Sequence, residues 1–67
     1  MDVEAVLHEG IWLVAHRTSG APTDLCSAQQ ARERARLAED RGDAKLAEQL
    51  REAAADVQQK NARLGPQ

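Results

Sequence analysis

The sequence predicts an all-α fold: a small three-helix domain in which an antiparallel helical hairpin carries an apolar N-terminal helix packed across it. Three observations predict it. Alanine, arginine and glutamate at spacings of three and four dominate residues 24–64, and turn-forming clusters fall at two interior places only. The bulky apolar residues Val3, Val6, Leu7, Ile11, Trp12, Leu13 and Val14 concentrate in the first seventeen positions.

The first helix is expected over residues 2–17. Wound at about 100° per residue, Val3, Val6, Leu7, Gly10, Ile11 and Val14 form one stripe, with Leu13 at its edge. Trp12 then lies opposite that stripe, with His8 and His16 one turn away on either side and Ala5 beside them. On this reading Trp12 is either wrapped by the other helices or stands as an aromatic anchor, since tryptophan is enriched at binding hot spots. Trp12, His8, His16 and Ala5 are the candidate partner-binding residues.

Thr18-Ser19-Gly20-Ala21-Pro22-Thr23 ends that helix, and a second is expected over 24–41. Thr23 and Asp24 can each cap it. Ser27-Ala28-Gln29-Gln30 reads as a capping box, in which serine and glutamine side chains bond each other's backbone amides. Ala28, Ala31, Ala35 and Ala38 make a seam of small residues, with Leu37 off it. At Arg41-Gly42-Asp43 glycine takes the left-handed position that ends a helix and Asp43 caps the next, expected over 43–64. There Leu46, Leu50, Ala53, Val57 and Leu64 follow a heptad rhythm, with Lys60 where it would be completed. Leu46, Leu50, Val57 and Leu64 are the candidate self-association residues. Gly65-Pro66 marks the end.

With 67 residues there is room for one domain, and a chain this short buries only about 60% of the surface its unfolded form exposes. Oligomerisation is the expected supplement, since Cys26 stands alone and cannot form a disulfide within the chain. The lone cysteine and the acidic start, Asp2-Val3-Glu4, suggest a cytoplasmic protein. No apolar run approaches the roughly 20 residues that span a bilayer, so no membrane partner is expected. Arginine outnumbers lysine seven to two, a bias of GC-rich bacterial or phage genomes.

Nucleic acid is a poor partner for a chain of net charge −2 whose single aromatic residue is Trp12. The nearest basic patch, Arg32-Glu33-Arg34-Ala35-Arg36, is diluted by Glu33, Glu39, Asp40 and Asp43, and Asp40 is an i,i+4 partner for Arg36. No cofactor or metal is expected. On one helix His8 and His16 sit about 12 Å apart, too far to share an ion held at ~2 Å per ligand, which leaves only Glu4, His8 and Cys26 as a set. A Cys26–histidine dyad is chemically conceivable, but three short helices enclose little substrate volume, and an enzyme is not expected. Arg41-Gly42-Asp43 matches an integrin-recognition triplet by letter only.

The expectation is a non-enzymatic interaction module, an adaptor or regulator, that associates with itself and docks a protein partner. The alternative is an inhibitor encoded by a phage or mobile element that blocks a host defence or regulatory complex by covering a surface. A DNA-binding regulator ranks third.

Overall fold

The computed structural model describes residues 2–18 and 20–64, and it corrects the fold class. The chain is α+β: three strands, β1 (Val3–His8), β2 (Ile11–Thr18) and β3 (Ala21–Cys26), precede two helices, α1 (Ala28–Asp40) and α2 (Ala44–Ala62). The expected first helix is a β-hairpin, and the expected start of the second helix is the third strand. Ser19 and the Gly65-Pro66 stop signal lie outside the described residues.

The strands form an antiparallel meander in the order β1-β2-β3. Its first connection is a two-residue loop, because His8 pairs with Ile11. Glu9 and Gly10 both have positive φ, 52° and 82°, the signature of the type I′ turn whose twist matches that of the flanking strands. Glycine adopts that conformation freely, whereas glutamate does so under strain. In the second connection Thr18 pairs with Ala21 and Gly20 has a φ of 81°. Pro22 follows on β3, an edge strand, where a missing N–H is tolerated. The register then slips by one residue, Val14 opposite Cys26 but His16 opposite Thr23. Asp24, with a φ of 54°, sits in this bulge.

The helical hairpin agrees with the sequence reading. Ser27 caps α1 through the expected box: its hydroxyl accepts from the Gln30 amide at 3.1 Å, and its own amide donates to Gln30 Oε1 at 2.9 Å. At the corner the Gly42 N–H donates to the Glu39 carbonyl (2.9 Å) and the Asp43 N–H to that of Ala38 (2.8 Å). These are the two bonds of a Schellman motif, with Gly42 at φ 88°. Asp43 then caps α2, accepting from the Leu46 amide at 3.2 Å.

The hairpin covers one face of the sheet, α2 lying along β1 and β2. Period-two alternation and the strand register put Val3, Ala5, Leu7, Trp12, Val14, His16 and Cys26 on this helix-facing side. Val3, Val14 and Cys26 meet the alanine seam, Ala31, Ala35 and Ala38, and Ala47, Leu50, Ala54 and Val57 of α2, all buried. Alanines keep the two helices and the sheet close, so a thin core suffices for a slab 14 Å deep in its shortest Cα extent. Glu4, Val6, His8, Ile11, Leu13, Ala15 and Arg17 face the other way.

Candidate functional site

Trp12 occupies the end of the sheet where β3 has already turned into α1. Its backbone is bonded by one side chain: the Trp12 N–H donates to Asn61 Oδ1 at 2.8 Å and Asn61 Nδ2 donates to the Trp12 carbonyl at 3.0 Å. Asn61 thus stands in for the strand partner that β3 is too short to provide, satisfying two groups that would otherwise cost ~1–3 kcal/mol each if left unpaired out of water. Lys60, the preceding residue on α2, places its Nζ 4.4 Å from the centroid of the indole ring. The ring is half-buried, packed against the core.

The four candidate partner-binding residues are therefore divided. Ala5, Trp12 and His16 share the helix-facing side, while His8 lies on the opposite face beside the turn, 3.1 Å from the Glu9 carboxylate. The helical winding that placed Trp12 between two histidines does not exist on a strand. Of the candidate self-association residues, Leu50 and Val57 are fully buried in the chain's own core, Leu46 packs at its margin and Leu64 is exposed. The heptad of α2 is occupied by the sheet and by α1.

Glu4, His8 and Cys26 are separated by the sheet itself, since His8 and Glu4 face outward and Cys26 inward. Burial pushes the Cys26 thiol above its ordinary pKa, with Arg34 opposing and Asp24 adding to the shift. The thiol is a buried core group, kept protonated at neutral pH. Among the described residues no group of three His, Cys, Asp or Glu side chains is placed to hold a metal ion.

No protein-family model, curated protein or solved structure matches the chain. A cleft of about 440 Å³ opens between the end of β2 and the helical corner, with Leu37, Leu46 and Leu50 as its apolar lining and His16, the Asp24–Arg34 ion pair (2.8 Å) and Arg41 at its rim. A second, of about 670 Å³, runs between the edge of β1 and α2. Arg34 thus pairs across to β3, Arg51 pairs with Glu39 at 2.9 Å, and Arg32 bonds Gln58, so these three arginines stitch the hairpin to itself and to the sheet.

No described element covers the outer face of the sheet, which carries apolar side chains, although the most exposed large apolar residues, Leu37 at 61% and Leu7 at 58%, lie elsewhere. Val6 pairs with Leu13 and Ile11 lies at the turn end. Ala15 sits beyond Leu13 and is fully buried, and Leu25 precedes the inward-facing Cys26 on β3. Ile11 is 48% exposed and Leu25 37%. An antiparallel sheet with one solvated face alternates apolar-in with polar-out, yet Ile11-Trp12-Leu13-Val14-Ala15 is apolar at five successive positions, the pattern of a strand covered on both sides. At one end of the face the Arg17 guanidinium meets the Glu4 carboxylate at 2.6 Å; at the other stand His8 and Glu9. Sequence reasoning missed this surface because a helical winding mixes Val6 and Ile11 with Val3 and Val14, which lie on the opposite side.

Proposed function

We propose that the chain is a non-enzymatic protein–protein interaction module that pairs with a second copy of itself through the outer face of its sheet. The observation that carries this reading is the exposed apolar surface of Ile11 and Leu25, flanked by the half-buried Val6 and Leu13, on a face that antiparallel sheets otherwise give to polar residues. Two such faces stacked at about 10 Å make an α/β/β/α sandwich. If β2 runs opposite to its counterpart, the His8–Glu9 end of each copy comes against the Glu4–Arg17 end of the other. Glu9, 83% exposed, then faces a cation across the interface. The footprint, roughly 350 Å² per copy from strand length and spacing, belongs to weak, concentration-dependent association.

Sedimentation equilibrium from micromolar to millimolar protein tests this. The native chain should pass from monomer to dimer, and Ile11→Lys should remain monomeric with an unchanged circular dichroism spectrum. A native chain that stays monomeric throughout, or a variant that dimerises equally well, overturns the reading.

A further inference from the structure

The two edges of the sheet are not alike. On β3 the edge carries Pro22 and the bulge at Asp24, two devices that block the addition of a further strand. On β1, Val3-Glu4-Ala5-Val6-Leu7-His8, there is no proline, no bulge and no lysine, and pairing with β2 is regular from Val3 to His8. The direction of its backbone groups follows from two bonds. The Arg17 N–H donates to the Asp2 carbonyl, and the Trp12 N–H turns away from β1 to Asn61. In an antiparallel ladder these alternate, so the even-numbered residues of β1 bond to β2 and the odd-numbered ones direct their N–H and C=O groups outward; Val3 is fully buried, which leaves Ala5 and Leu7 as the open positions of this edge. The same edge forms one wall of the 670 Å³ groove whose other wall is α2.

The groove has a small apolar floor and an unbalanced charge. Val3, Ala5 and Ala53 line it, and three carboxylates, Glu4, Glu52 and Asp56, stand against two cations, Arg17 and Lys60. Arg17 is held by Glu4 (2.6 Å) and Lys60 by Asp56 (3.1 Å). Glu52 is the carboxylate left over.

We infer that the edge of β1 accepts an extended peptide segment of a partner protein as a fourth strand, with a lysine or arginine of that segment directed to Glu52. Main-chain bonds to Ala5 and Leu7 supply affinity and the groove reads alternate side chains, as in strand addition generally. A second copy is the poorer occupant here, because β1 itself carries Glu4 and no lysine or arginine and would bring a carboxylate to an acidic groove. The site is separate from the outer face, and a face-to-face dimer leaves both β1 edges open.

The test begins with a displayed library of random seven-residue peptides selected on the intact chain, the best sequence then being made as a fluorescent probe. Proline-free sequences with a central lysine or arginine should be enriched. N-methylation at alternate residues should abolish binding in one register and spare it in the other. Glu52→Lys, an exposed change on α2, should weaken binding ~10-fold or more, and Ala5→Pro should abolish it. Ile11→Lys should bind as the native chain does, which separates this site from the proposed dimer face. The inference is overturned if no sequence is enriched, if both N-methylated registers bind alike, if Glu52→Lys leaves affinity unaltered, or if the β1 amides are already protected from exchange in concentrated protein without peptide.

Discussion

At the scale of single residues, Asn61 does more for the fold than its exposed neighbours on α2. Its carboxamide bonds both backbone groups of Trp12, so Asn61→Ala should cost ~1–3 kcal/mol in urea denaturation and speed exchange of the Trp12 amide. Asn61→Asp keeps the acceptor and loses the donor, and should fall between the two. Cys26 gives a pH signature. Its pKa is raised by burial above the ordinary 9.0. Below that value the thiol is protonated in both states and its contribution is intact; above it the unfolded chain ionises first, so stability falls as pH rises toward the higher folded value. The stability advantage of the native chain over Cys26→Ala should therefore shrink as pH rises through 9 and hold steady between pH 6 and 8.

At the scale of elements, the turns hold both the strain and the opportunity. Glu9 is a non-glycine residue at a φ of 52°, in a turn that prefers asparagine before glycine. Glu9→Asn should raise stability by about 0.5–1 kcal/mol, because the exposed pair lost with His8 contributes little. Gly42 is the converse case. A Cβ there would meet nothing within 4 Å, so the cost of Gly42→Val is conformational: about 1 kcal/mol or more, with Gly42→Asn costing less. Thermal melts on the three variants order these effects.

The helical hairpin was legible in the sequence because its signals are local. A glycine followed by aspartate, a serine three residues ahead of glutamine, and alanines at spacings of three and four each act within one helical turn. Strands β1 and β2 were not legible by periodicity. Residues 11–15 of β2 are apolar on both faces and Val6 interrupts the alternation of β1, so the pattern that marks a half-exposed strand is lost, and a continuous apolar run fits a buried strand and a helix equally. The signals that decide were present: β-branched Val3, Val6, Ile11 and Val14, and glycines at 10 and 20 that punctuate runs of six to eight residues.

For the whole molecule, a thin core rich in alanine and an open sheet face make stability depend on concentration. If two copies pair, the melting temperature should rise by roughly 3–5 °C per tenfold increase in protein above the dissociation constant. Ile11→Lys should melt at one temperature at all concentrations. Scanning calorimetry over two decades of concentration checks this, and a flat native curve would leave the sheet face without a second copy to cover it.

The sequence by itself determined the helical hairpin, its caps, its corner and its small-residue seam, because each depends on residues fewer than five positions apart. Only the tertiary structure decided which way Trp12 points, that Leu50 and Val57 are spent inside the chain, and that Val6, Ile11, Leu13 and Leu25 share an uncovered face. Those outcomes depend on strand register and on a contact between residues 12 and 61. A shift of one residue in register exchanges every side chain between faces, and that choice is made by long-range pairing and packing rather than by any local run of the chain.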